Sequence, residues 1–356
     1  MKRFYPVYIL VFFSVACHAQ VVRNYSNEFL NIGVDAAALG MGNAVVAGTD
    51  DVNAGYWNPA GLVNIEDNEL ALMHASYFAN IALYDYAGFA MRLDNESAFA
   101  VSLIRFGVDD ILNTTQLIDA DGNIDYNRIS LFSTADYAVT FSYARSLPLD
   151  GVDFGANAKV IRRIIGDFAN SWGFGLDFGV QYRKNGWSVG AMARDITTSV
   201  NTWSINEDQF ETISDAVEGQ NQDLPETLEV TLPKLQIGVS REWTIRYDYS
   251  IKAEVDLITR FTQTNDIISS SVVSTSPAAG MEFGYLDLVF LRAGVGNFQT
   301  ITQLDGSDQV GFQPNIGVGF NYKGIHIDYA LTDIGDQSAA IYSNIFSIKL
   351  DWELFR

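Results

Sequence analysis

Few side chains in this chain are placed for reaction chemistry. His326 and Asp328 stand two apart on one strand face, where a carboxylate can orient an imidazole as a base. In a period-two segment the same pair more often serves as a structural hydrogen bond. Asp119, Asp121, Asn123 and Asp125 alternate like the opening of a calcium loop. The loop fails as a closed cation site, because Ile124 sits where the sharp turn needs glycine and Ser130 where a bidentate glutamate should complete the shell. A hairpin turn at Asp121-Gly122 explains the same residues. His74 and His326 are the imidazoles left once a leader is removed, and neither a Gly-x-Ser-x-Gly elbow nor a His-Glu-x-x-His helix is present. The expectation is a protein that is not an enzyme and that needs no cofactor and no metal.

Ionisable residues instead recur on alternate positions of apolar segments. Asp153, Lys159, Asp177, Arg183, Lys252, Glu254, Asp256, Asp328, Lys349 and Asp351 all fall on the second face of such segments. Buried and unpaired, each would cost several kcal/mol, so that face needs water or mutual partners.

The elements that carry them are strands long enough to cross a membrane. Trp172, Phe174, Leu176, Phe178, Val180 and Tyr182 alternate with Gly173, Gly175, Asp177, Gly179, Gln181 and Arg183, and Tyr247 to Leu257 repeats the pattern. About fourteen such segments can be traced, near 68-78, 81-93, 96-107, 135-147, 151-164, 172-184, 187-196, 233-243, 246-260, 277-286, 287-298, 310-323, 324-332 and 343-355. Tight turns such as Asn185-Gly186 and Lys323-Gly324 alternate with long connections near 108-134, 197-232, 261-276, 299-309 and 333-342. Short turns on one side and long loops on the other are the habit of outer-membrane barrels. A mean hydropathy of +0.06 fits, because only half of each spanning strand has to be apolar. Tyr182, Trp187, Tyr322 and Trp352 near strand ends suit the headgroup layer, although β-propensity alone also places them there. Phe355 is penultimate rather than terminal.

Lys2, Arg3, an apolar run of about a dozen residues and Cys17-His18-Ala19 have the layout of a cleavable export signal. The run is too short for the ~20 residues of a membrane helix. Cleavage after Ala19 removes the one cysteine and takes the formal charge from -21 to -23, since Lys2 and Arg3 leave. That balance disfavours nucleic acid as a partner. The domain reading is a signal at 1-19, a small-residue segment at 20-66 that folds into the lumen as a plug, and a barrel at 67-356. Within the plug, Val34 to Ala47 reads as a short helix.

Leu39-Gly40-Met41-Gly42-Asn43-Ala44, then Thr49-Asp50-Asp51 and Tyr56-Trp57-Asn58-Pro59-Ala60-Gly61-Leu62, resemble the N-terminal hatch of FadL-type barrels. The resemblance implies a fourteen-stranded transmembrane antiparallel β-barrel in the bacterial outer membrane, in contact with outer-membrane lipid. Gly40, Met41, Gly42, Asp50, Asp51, Asn58, Pro59, Ala60 and Gly61 are its hatch positions. The tracts Asn27 to Gly33, Tyr84 to Ala90 and Ala193 to Thr198 resemble the PorV/PorQ branch. That branch implies work in type IX secretion, with translocon or attachment components and the C-terminal domains of cargo proteins as partners. The loop at 197-232, with Trp203, Phe210, Leu224 and Leu228, is the candidate contact. The alternative is FadL-like uptake of hydrophobic small molecules. The charges on the lumen face rank it second, because such a route needs an apolar track.

Overall fold

The computed structural model describes residues 26-114, 116-117, 123-206, 227-303, 305-333 and 343-351. The segment expected to be an export signal, with Cys17, and Asp119 to Gly122, Phe210, Leu224, Trp352 and Phe355 lie outside the described residues.

Among the described residues, seventeen strands form one antiparallel sheet that closes on itself. In chain order they are β1 (Glu69–Tyr77), β2 (Ala82–Arg92), β3 (Ser97–Asn113), β4 (Ser130–Ser146), β5 (Val152–Ile165), β6 (Ala169–Lys184), β7 (Trp187–Arg194), β8 (Ser199–Ile205) and β9 (Leu228–Thr231). Then come β10 (Lys234–Ile245), β11 (Tyr249–Arg260), β12 (Ile268–Ser269), β13 (Ser274–Tyr285), β14 (Val289–Thr302), β15 (Asp308–Tyr322), β16 (Ile325–Thr332) and β17 (Ser343–Asp351). The first and last are paired from Glu69↔Asp351 to Ser76↔Asn344, which shuts the ring. Strands β8 and β9 prolong β7 and β10 beyond a kink, and β12 pairs with the end of β13, so the barrel itself has fourteen strands. Among the described residues no helix is long and apolar enough to cross a membrane.

Alternation turns the sheet inside out relative to a soluble core. On β6, Phe174 is 63% exposed while Asp177 on the other face is 3% exposed. Lipid takes the place of a protein core around the outside, and closure leaves no unpaired edge for the hydrocarbon to meet. A closed barrel with this exterior belongs in the bacterial outer membrane.

At one end the strands are joined by tight turns, Asn185-Gly186 and Lys323-Gly324 among them, whose backbones are left-handed as two-residue hairpins require. Several stretches expected as loops are strand. β3 runs to Asn113, β4 starts at Ser130, and β8 and β9 occupy parts of 197-232. These extensions lie past the apolar alternation, where backbone pairing persists without a lipid-facing stripe to announce it. The helix expected over Val34 to Ala47 is only Ala36–Gly40 (α1), followed by turns.

Candidate functional site: a chain segment held inside the ring

Residues 26-65 precede β1 and pack against inward faces around the ring. Besides α1 they form a second helical turn, Ala54–Trp57 (α2), and a 3-10 stretch at Pro59–Asn64. Asp35 caps α1 by accepting from the Ala37 amide at 3.3 Å, and Asn58 caps the 3-10 stretch from the Ala60 amide at 3.3 Å. Helices of one turn do not persist alone. The wall must hold them.

It does so with the charged residues of the lumen. Asp256 accepts from the amides of Val45 (3.0 Å) and Val46 (3.1 Å), and Glu254 from those of Ala47 (2.6 Å) and Gly48 (3.2 Å). Lys252, two places back on the same face of β11, donates to the Gly48 carbonyl at 2.7 Å. From β6, Gln181 donates to the carbonyls of Ala47 (2.6 Å) and Thr49 (3.0 Å), while Arg183 reaches Thr49 (2.6 Å) and the Asp50 carboxylate (3.1 Å). Asn157 donates to the Gly55 carbonyl (2.9 Å) and Arg194 to that of Tyr56 (2.8 Å), its guanidinium 4.3 Å over the Tyr56 ring. On β17, Ser347 donates to Asp35 (2.8 Å) and Lys349 to Asp51 (3.0 Å), and on β1 Glu69 accepts from the Val52 amide (2.7 Å). The segment's unpaired backbone groups and the wall's charges thus satisfy one another.

Close approach needs small residues on both sides. A Cβ on Gly42, whose φ of +68° already favours glycine, would come within 2.6 Å of the Val295 nitrogen. One on Gly40 would meet the Gly317 Cα at 3.0 Å, and one on Gly61 would run into the Thr49 carbonyl. On the wall, a Cβ at Gly190 would lie 2.7 Å from the Ala47 Cα, and one at Gly155 2.5 Å from the Ala60 nitrogen. Gly280 and Gly294 are seats for the Met41 backbone, and Gly179 for Asn58 and Pro59.

Electrostatics follow from this packing. Burial, with Asp328 and Asp51 nearby, pushes the Asp35 carboxyl up to about 7. Burial also raises Asp50, but Lys252 and Arg183 outweigh it and hold that carboxyl below its usual range.

Lumen charges that do not touch the segment are paired with one another or with wall groups. Lys159 lies 2.8 Å from Asp177 and 2.7 Å from Asp195, and Arg292 bridges Glu282 and Asp328 at 2.5 Å each. Ser146 donates to Asp153 at 2.7 Å, and His326 lies 3.5 Å from Asp351. His326 therefore faces Asp351 rather than the Asp328 expected as its partner. All ten charges picked out on the second face have partners, so they do not weigh against an apolar route.

The structure gathers the nine motif residues into this one segment, with Gly40, Gly42 and Gly61 at close approaches, Asp50 and Asp51 on cations, and Asn58 also donating to the Val46 carbonyl at 2.9 Å. Of the proposed contact loop, only Trp203 and Leu228 are among the described residues. Trp203 turns inward on β8, 5.2 Å from the Arg163 guanidinium, while Leu228 is exposed on β9. Beyond the ten charges of the second face, Gln181, Asn157, Arg194, Arg292 and Glu69 also bear on the segment or its support. Face parity with Asp177 and Lys159 was the available signal for Gln181 and Asn157.

No family model matches the chain, and no curated relative does. Its fold is that of solved FadL-like barrels. The toluene transporter TodX of P. putida superposes with a TM-score of 0.56 at 13% identity, covering 90% of this chain and 98% of that one. The toluene transporter TbuX of Ralstonia pickettii gives 0.54 at 13% identity over 90% and 98%. The CymD monoaromatic hydrocarbon channel gives 0.54 at 11% identity over 89% and 97%.

Proposed function

We propose that this barrel passes small hydrophobic compounds across the outer membrane and that residues 26-65 are its plug. The observation that carries the reading is an aromatic lining on the lumen side of β1 to β3. Tyr84 packs against Tyr77 (6.5 Å between ring centroids) and Phe106 (6.2 Å), beside buried Phe29, Leu30, Tyr56, Trp57 and Ile104. Buried against the segment as it stands, this lining becomes the apolar surface open to a guest when the segment shifts. The shared fold with barrels that carry toluene and other monoaromatics supports the same class of cargo. Uptake of a labelled monoaromatic hydrocarbon by intact cells, with and without the barrel, tests it. Equal rates would remove it.

A second reading is favoured by how firmly the segment is held: a scaffold or shuttle in type IX secretion does not require it to move. The PorV/PorQ-like tracts support this reading. Gentle detergent extraction should then recover translocon or attachment components, or cargo C-terminal domains, with the barrel, and recovery of the barrel alone would count against it.

A further inference from the structure

The aromatic lining of β1 to β3 carries polar tips of two kinds. Tyr56 donates its hydroxyl to the Leu30 carbonyl at 2.7 Å, and Trp57 its indole N–H to the Val34 carbonyl at 3.1 Å. Both are engaged within the segment. Tyr84 and Tyr86, 0% and 3% exposed on the inward face of β2, have hydroxyls closed off from solvent and without a hydrogen-bond partner among the described residues. Buried tyrosine hydroxyls ordinarily find one, because a donor stripped of water and given nothing in return destabilises the fold.

The charged groups around them are already engaged. Asp35 and Asp51, the carboxylates whose charge bears on Tyr86, accept instead from Ser347 at 2.8 Å and Lys349 at 3.0 Å. Arg194, the cation that bears on Tyr84, donates to Gln236 at 2.9 Å and to the Tyr56 carbonyl at 2.8 Å. The Tyr86 hydroxyl is covered by the segment itself: a Cβ on Gly88, the next inward position of β2, would fall 2.5 Å from that hydroxyl and 3.2 Å from Val52 Cγ2. Movement of Val52 off the wall uncovers it.

We propose that Tyr84 and Tyr86 select apolar cargo that carries an uncharged hydrogen-bond acceptor, such as an aromatic ketone, aldehyde or ester, over the bare hydrocarbon of the same shape. Two neutral donors stand on one strand face roughly 7 Å apart at the backbone, within an aromatic surface, and a carbonyl oxygen offers two lone pairs. A carboxylate is the poorer match, because Arg194 is already engaged and the free donors are neutral. This cargo class deepens the transport reading above and rests on it.

Acetophenone and α-methylstyrene share an outline and differ in C=O against C=CH2, which makes them the probes. Intact cells with wild-type barrel, Tyr84→Phe, Tyr86→Phe, the double variant or no barrel are given each labelled compound, and uptake is read above the barrel-free rate. Each compound is compared only with itself, so differences in partitioning cancel. Each single variant should slow acetophenone about threefold and the double variant about tenfold, the effect of losing neutral hydrogen bonds, with α-methylstyrene unchanged within about twofold. Phenylalanine keeps the ring and removes the unpaired group, so the purified variants should unfold no lower than wild type. Slowing of both compounds alike or of neither, or a loss of stability showing that the hydroxyls already hold buried water, would overturn the proposal while leaving transport in place. Absence of barrel-dependent uptake for both compounds would remove the transport reading itself, and the cargo class with it.

Discussion

Glu254 receives the amides of both Ala47 and Gly48 on a single carboxylate oxygen, at 2.6 and 3.2 Å. Two consecutive N–H groups deep in the barrel thus depend on one side chain from more than two hundred residues away. Glu254→Ala leaves both unsatisfied, at about 1 to 3 kcal/mol each. Amide hydrogen exchange should show residues 45-48 losing protection while the strands keep theirs. Uniform loss across strands and segment would mean that Glu254 supports the barrel instead.

Gly190 tests the close approach. Gly190→Val places a side chain where the Ala47 backbone already sits and should displace the segment, exposing it to protease in detergent. Ala253→Val, facing lipid on β11, should leave digestion unchanged.

The Lys159, Asp177 and Asp195 cluster is almost fully buried. Lys159→Met strands two carboxylates in the wall and should cost about 3 to 5 kcal/mol in denaturant unfolding. Combining it with Asp177→Asn and Asp195→Asn should recover part of that loss. A single variant as stable as wild type would contradict the pairing.

Asp35 makes docking of the segment depend on pH. Its carboxyl is raised to about 7 when docked, so the docked state binds the extra proton between the ordinary carboxyl range and neutrality. Docking is therefore favoured below that window and weakens as pH rises through it, by at most about 1.4 kcal/mol per unit. Asp35→Asn should remove this slope, so the ratio of segment protection in wild type to that in the variant should fall from pH 5 to pH 8.

The ring was legible because a bilayer outside and a wet lumen inside impose period two on every spanning strand, from Trp172 to Arg183 and from Tyr249 to Leu257. Its limits were less so. β7 stops at Arg194 because Asp195 and Thr198 take left-handed backbones and kink the strand, a break that Ile196 and Thr197 do not advertise. Face parity told that Asp256 and Glu254 point inward. It could not tell that they meet Val45 to Gly48, because partners so distant in sequence are set by closure of the whole ring. Trp203 read as a loop aromatic, yet it shares parity with Ser199 and Asn201, whose side chains are buried.

Whether the segment gates passage is the central question, and the geometry offers a lock. A Cβ on Gly55 would stand 3.7 Å from the Ser142 Cβ, within disulfide range, and the chain after Ala19 has no cysteine to interfere. Gly55→Cys with Ser142→Cys should bolt α2 to β4 when oxidised. Intact cells carrying the pair should take up labelled toluene when reduced and fall to the rate of barrel-free cells when oxidised. Equal uptake in both redox states, with the disulfide confirmed by mass spectrometry, would contradict a plug that moves to admit its cargo.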